Sequence, residues 1–238
     1  MDKLSGKNIL VVGGSSGIGL NLIKKIIASG GSVYQASRHK SDELPKEVTH
    51  IDFDVTDDKA QLDNLPEQIH GLVYGVGTIN LKPFQALNEN DFLQDYQLNV
   101  IGAIRILKQI MKPLKAGKDA SIVFFSTVAV QTGINFHASI ASAKGAIEGL
   151  TRSLAAEWAR NNIRVNAIAP SLTETPLAAG LLSSDDKKEA SNQRHPLGRY
   201  GKPEDIASMA HFLLTPDANW MTGQIIGIDG GIGALRPL

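Results

Sequence analysis

The chain has no cysteine among its 238 residues. That absence excludes disulfides, thiolate metal sites and a cysteine nucleophile together. An excess of charge of either sign is also missing. Lys+Arg and Asp+Glu both number 24, so the formal net charge is zero. No basic run marks a nucleic-acid footprint, and no acidic tail appears. Long hydrophobic runs are absent too. The first apolar stretch, Ile9 to Val12, meets glycines too soon for a membrane span or a secretory leader. The expectation is a cytoplasmic protein with no metal site and no nucleic-acid or membrane partner.

What is present fits an ordinary globular chain, 42% apolar and 20% charged. The length suits one domain spanning 1–238. Short β-branched or aliphatic runs alternate with longer amphipathic stretches, the pattern of βα units. Strands are expected over 8–13, 32–37, 48–52, 70–76, 120–126, 163–169 and 223–228, and helices over 17–29, 57–65, 89–115, 138–160 and 203–214. The strands are continuously apolar, as when both faces of a sheet are covered. The expected fold is therefore α/β: a Rossmann-type doubly wound parallel sheet of about seven strands in a single domain. The stretch 170–203 carries no periodic pattern and is rich in Ser, Thr, Pro and charge. A loop of that length in a compact domain commonly serves as a lid over a substrate.

Gly13-Gly14-Ser15-Ser16-Gly17-Ile18-Gly19 joins the first strand to the first helix. Gly13 permits a sharp turn, Gly17 a close approach of backbone to a diphosphate, and Gly19 tight helix–strand packing. Amides at the helix start would face the anion. Glycine clusters are often only turns. The strand–turn–helix context is what points to phosphate.

The spacing Gly13-x-x-x-Gly17-x-Gly19 resembles that of the short-chain dehydrogenase/reductase family, and further motifs follow in the family's order. Asp54-Val55-Thr56 is similar to its adenine-contacting segment. Asn99-Val100-Ile101-Gly102 is similar to its helix-four asparagine motif. Lys144 stands where its active-site lysine would be, and Pro170 follows strand six. Arg199 to Asp205 and Thr222 to Gly231 match its C-terminal signatures.

The second strand ends Ser37-Arg38, where an acidic residue would favour an unphosphorylated ribose. A hydroxyl and a guanidinium there favour NADP(H), because both can bond a 2′-phosphate. The competing reading of Arg38 is a solvated surface charge. Asp54 has a competing reading as a helix N-cap. Gly75 and Gly77, at the fourth strand's end, would let backbone approach a ribose or nicotinamide. Pro170 and the hydroxyls of Ser171 to Thr175, Thr173 included, would meet the carboxamide. Leu177, Leu181 and Leu182 hint at an apolar substrate.

Reducing a carbonyl requires a proton donor. The resemblance implies a tyrosine four residues before the lysine, but that position is Ile140, which carries no exchangeable proton. Thr127, thirteen residues before Ile140, takes the place of the family's serine. Candidates for the lost function are His137, near the start of the same helix, and a relay from Thr127 and Lys144 through Asn99. Asn99 could equally bridge the backbone of a helix kink. Tyr74, Tyr96 and Tyr200 are remote in sequence. Helices 89–115 and 138–160 resemble the pair through which family members assemble, implying a homodimer or homotetramer, with stripes including Leu98, Ile101, Ile104, Leu107, Ile147, Leu150, Leu154 and Trp158, each of which could equally be intramolecular core.

Three functions remain open at this stage. The first is an NADP(H)-dependent oxidoreductase of a carbonyl or alcohol with an altered proton donor. The second is a catalytically weak NADP(H)-binding sensor or subunit. The third is a structural partner in a hetero-oligomer.

Overall fold

A computed structural model describes residues 2–235. Its centre is one parallel sheet of seven strands in the order β3-β2-β1-β4-β5-β6-β7. The strands are β1 (Asn8–Val12), β2 (Ser32–Ser37), β3 (Thr49–Asp52), β4 (Gly71–Tyr74), β5 (Ser121–Phe125), β6 (Arg164–Pro170) and β7 (Ile225–Ile228). All seven coincide with expected strands.

Alternation along each strand divides the core in two. Leu10 and Val12 of β1, Leu72 and Tyr74 of β4, and Ile122 and Phe124 of β5 face one apolar cluster. Ile9, Val11, Val73 and Val123 face the other. This is the period-two geometry of a pleated sheet buried on both sides. Helices α1 (Gly17–Ala28) and α7 (Pro203–Leu214) cover the second cluster. Helices α2 (Glu89–Tyr96), α3 (Gly102–Gly117) and α5 (Ala138–Trp158) cover the first, and a single turn, α4 (Ala129–Thr132), precedes α5.

Three elements differ from the sequence reading. Residues 57–65 form no helix. The Gln109 side chain accepts from Leu62 N at 2.8 Å and donates to the Ala60 carbonyl at 3.0 Å, so a long-range partner satisfies backbone that a short helix would have paired. With no helix there, the N-cap reading of Asp54 falls. Its carboxylate accepts instead from the amide and hydroxyl of Thr56, at 2.8 and 2.7 Å.

The expected helix 89–115 is broken by a π-turn at Gln97–Ile101. Inside it, Asn99 Nδ2 donates to the Asp95 carbonyl at 2.8 Å, one of the groups that such a bulge leaves unpaired. The stretch 170–203 is not irregular throughout. It holds a 3-10 segment, Pro176–Leu182, and a helix, α6 (Asp185–Arg194). Helix α6 has no apolar stripe to announce it. Among the described residues no helix is long and apolar enough to cross a membrane.

Candidate active site

The strand order places β1 beside β4, so the connections leaving them run in opposite directions and open a crevice at their carboxyl ends, where open α/β sheets bind ligands. Glycine permits the two strand ends to close on one another there. A Cβ at Gly13, where φ is +86°, would lie 2.9 Å from the Gly75 carbonyl carbon and from the Val76 nitrogen. One at Gly19 would lie 2.5 Å from the Gly13 oxygen. Helix α1 therefore starts hard against the turn. Its N-cap residue, Ser16, makes no side-chain capping bond, and the first turn holds no acidic residue. Its leading amides are left to an outside acceptor, and the helix dipole favours an anionic one.

A cleft of about 860 Å³ extends from this turn. Its walls include Ile18, Gly19, Gly75, Gly77, Thr127, His137, Ile140, Lys144, Pro170 and Thr173. The structure thus brings together Thr127, His137, Lys144 and the isoleucine between them. Leu177 and Leu181 border the same space, whereas Leu182 is buried and does not line it. Ser15, Ser16, Ser37, Arg38 and Asp54 lie outside the cleft, on the β1–β2–β3 side. Ser37 Oγ donates to the His39 carbonyl at 2.7 Å, and Arg38 is exposed. The Asp54 carboxyl is held below its ordinary range, first by the Thr56 bonds and least by Arg38. Val55 is buried, and its carbonyl accepts from Arg105 at 2.9 Å.

At the cleft floor Lys144 is only 8% exposed. Burial lowers its pKa from 10.5 to about 8, against an opposing pull from Asp95. A Cβ built on Gly77 would lie 3.5 Å from Lys144 Nζ and 3.4 Å from Asn99 Oδ1. That Asn99 oxygen is buried without a hydrogen-bond partner among the described residues. It is a buried acceptor aimed beside a buried ammonium, a pairing that calls for a bridging donor such as water. Asn99 itself does not line the cleft.

Behind this floor Asp95 is buried and accepts from Ser139 Oγ and Thr78 Oγ1, both at 2.5 Å. Ser139 is thereby turned away from the cleft, as a regular helix requires for the neighbour of Ile140. Ile140 is 5% exposed. Thr127 Oγ1 accepts from the Ala129 amide at 3.3 Å, and its own hydrogen is directed by no bond among the described residues. His137 Nδ1 donates to the Asn135 carbonyl at 2.7 Å, which leaves Nε2 as the acceptor in the neutral ring. Among the described residues none of the four tyrosines lines the cleft. Tyr74 donates to the Leu98 carbonyl at 2.6 Å, and burial raises its pKa, so it is no proton source.

Sequence reasoning missed two cleft residues with chemical potential. In the sequence Ser171 is one of several hydroxyls in its stretch, and no motif marks His195. Their side chains are hydrogen-bonded at 2.7 Å. Both lie in the stretch read as patternless, and they are separated by α6.

Comparison with known proteins agrees with this architecture. A family model described as enoyl-(acyl carrier protein) reductase matches residues 13–233. A tropinone reductase homologue of Arabidopsis thaliana is 34% identical over 251 residues, covering 98% of this chain and 96% of its own. The ligand-free structure of aldohexose dehydrogenase from Thermoplasma acidophilum superimposes with a TM-score of 0.90 at 28% identity, covering 100% of this chain and 97% of that one. A structure described as ElxO with NADP bound superimposes with a TM-score of 0.87 at 25% identity, covering 96% and 99%.

Proposed function

The chain belongs to the short-chain dehydrogenase/reductase family, and on that premise we propose that it is an NADP(H)-dependent oxidoreductase of a carbonyl or alcohol with an altered proton donor. The observation that carries this reading is one cleft bounded at once by the start of α1 at Ile18 and Gly19, by Gly75 and Gly77 after β4, and by the buried Lys144. Those residues fit a dinucleotide. Gly13 and Gly19 keep side chains out of the turn, α1 offers its uncapped amides to a diphosphate, and Lys144 would bond the nicotinamide ribose. Gly75, Gly77, Pro170 and Thr173 would border the ring, and Asp54 with Val55 would border the adenine. When bound, the reduced nicotinamide supplies a hydride.

Preference for NADP(H) is supported by Ser37 and exposed Arg38 at the end of β2, positions that hold a hydroxyl and a guanidinium in place of a carboxylate that would repel a 2′-phosphate. The described relative with NADP bound agrees with this preference. The stretch 170–203 would act as a lid. Thr175 touches the place where a Gly17 side chain would be, so this stretch already reaches the phosphate turn.

The proton-donor change rests on Ile140. It stands one helical turn before Lys144, where the family carries its tyrosine, and offers the cleft only hydrocarbon. Thr127 would orient the reacting oxygen, and Asn99, next to Lys144, would hold a water. The same isoleucine favours the second reading, a weak catalyst that senses NADP(H). Fluorescence titration with NADPH and NADH tests the binding, with NADPH expected to bind at least tenfold tighter, a gap of about 1.4 kcal/mol. No binding of either nucleotide would remove both readings. Tight binding with background turnover over a panel of aldehydes and ketones would select the sensor.

A further inference from the structure

The loop after β6 and the end of α6 contribute a hydroxyl–imidazole pair that the functional reading so far leaves idle. Ser171 Oγ lies 2.7 Å from His195 Nε2, and both side chains line the cleft. On the ring's other side, His195 Nδ1 lies 2.6 Å from the Ser191 carbonyl oxygen. A carbonyl can only accept, so Nδ1 carries a hydrogen and the neutral ring keeps its lone pair on Nε2. The Ser171 hydroxyl must then donate to Nε2, which leaves the serine oxygen's own lone pairs for the cleft. A hydroxyl bonded to a base that a third group orients is the arrangement of an activated hydroxyl.

The pair is held firmly. His195 is 4% exposed and closes α6 at its carboxyl end. Gly230, at φ +63°, lies against the ring; a Cβ there would be 3.3 Å from His195 Cδ2. Thr173 Oγ1 donates to the Ser171 carbonyl at 3.0 Å. The Val128 amide donates to the Pro170 carbonyl at 3.1 Å, so the residue after Thr127 is tied to the residue before Ser171. The two hydroxyls therefore flank one backbone hydrogen bond at the cleft wall.

Resting on the oxidoreductase reading, we propose that Ser171 and His195 form the proton relay of this cleft, with Ser171 the catalytic residue at the substrate oxygen. In reduction, the carbonyl carbon gains a hydride from a reduced nicotinamide and its oxygen becomes an alkoxide. The Ser171 O–H bond breaks as the alcohol O–H bond forms. The His195 Nε2–H bond breaks as the Ser171 O–H bond re-forms, and the imidazolium becomes a neutral imidazole with its hydrogen on Nδ1, bonded to the Ser191 carbonyl. A solvent proton restores the imidazolium. Alcohol oxidation runs the same transfers in reverse.

The experiment uses the full chain with NADPH and a panel of aldehydes and ketones, comparing wild type with Ser171→Ala and His195→Gln. Glutamine retains a donor for the Ser191 carbonyl and an acceptor for Ser171 but cannot carry the proton. Loss of general acid catalysis predicts that kcat falls by about 10²- to 10⁴-fold in both variants, while the NADPH Kd of His195→Gln stays within about twofold. Wild-type kcat in His195→Gln would show a merely structural tie and overturn the proposal. A second readout needs no turnover. Phenylmethanesulfonyl fluoride should label Ser171 in the wild type, mapped by peptide mass spectrometry, and should not label it in His195→Gln. Histidine-dependent labelling without wild-type turnover would retire the oxidoreductase reading and uphold the activated pair. Absence of labelling in the wild type overturns the pair itself.

Discussion

Ile140 and Lys144 are one helical turn apart on α5, and both face the cleft. Replacing Ile140 with tyrosine would put a phenol where the cleft has only hydrocarbon, next to an ammonium able to stabilise a phenolate. Ile140→Tyr is expected to raise kcat on the carbonyl panel by about 10²-fold, the lower range for a general acid. An unchanged kcat would mean that the surrounding wall has been reshaped. Lys144 gives a second test. Burial brings its pKa from 10.5 down to about 8, so between those values the unfolded chain holds a proton that the folded chain has released. Stability supplied by this group therefore rises with pH through that window. Relative to Lys144→Met, wild type should gain on the order of 3 kcal/mol between pH 8 and 10.5, measured by urea unfolding. An identical pH dependence in the two proteins would mean that the lysine is solvated. At this scale the sequence was legible where a motif has fixed spacing, as for Gly13, Gly17, Gly19 and Lys144. It was opaque for Ser171 and His195, which meet only because α6 folds back and Gly230 makes room for the ring.

Among the elements, α1 shows how a turn and a helix start act together. Gly17 has φ +54°, and the atoms nearest a built Cβ are those of the Thr175 and Pro176 side chains, not backbone. Gly17→Ala should therefore cost only about 1–2 kcal/mol, the price of left-handed backbone at one residue. In a chain of this size that lowers Tm by about 2–8 °C. NADPH titration should nevertheless show at least a tenfold weaker complex, because the added methyl stands where a diphosphate would approach; unchanged affinity would place the phosphates elsewhere. Gly19→Ala meets the Gly13 carbonyl oxygen instead and should destabilise the protein considerably more. Elements hidden from the sequence reading were hidden for identifiable reasons. Helix α6, Asp-Asp-Lys-Lys-Glu-Ala-Ser-Asn-Gln-Arg, lacks any apolar periodicity. Its boundaries were nonetheless written in side chains: Ser184 accepts from the Lys187 amide at 3.3 Å, Asp185 and Asp186 occupy the first turn, and Arg194 the last. Residues 57–65 had the opposite problem. Leu62 and Leu65 pack against the first cluster, but Gln109 from a distant helix satisfies backbone there in place of a helix's own bonds.

Over the whole molecule, the sheet was the most legible feature, because burial on both faces demands unbroken apolar strands and leaves little ambiguity about their number. Assembly is the next matter at this scale. Leu98, Ile104, Leu150 and Leu154 pack against the first cluster yet remain only partly buried on the α2–α3–α5 side. Leu107, Ile147 and Trp158, expected in the same stripes, are core residues. A second copy covering the half-buried face would complete its burial, so the protein should sediment as a dimer or tetramer, and Leu154→Arg should shift it toward monomer. A monomeric wild type would assign these leucines to the chain's own core alone.

The central position of β1 also bears on how the chain is made. Ile9 pairs with Val33 on one side and with Gly71 on the other. As the polypeptide leaves a ribosome, β1 can find its first neighbour within a short length of chain, but its other edge stays open until β4 emerges. Through that interval the nascent chain exposes an apolar strand edge to every other chain nearby, so β1 is the place where a chaperone would do most to prevent aggregation.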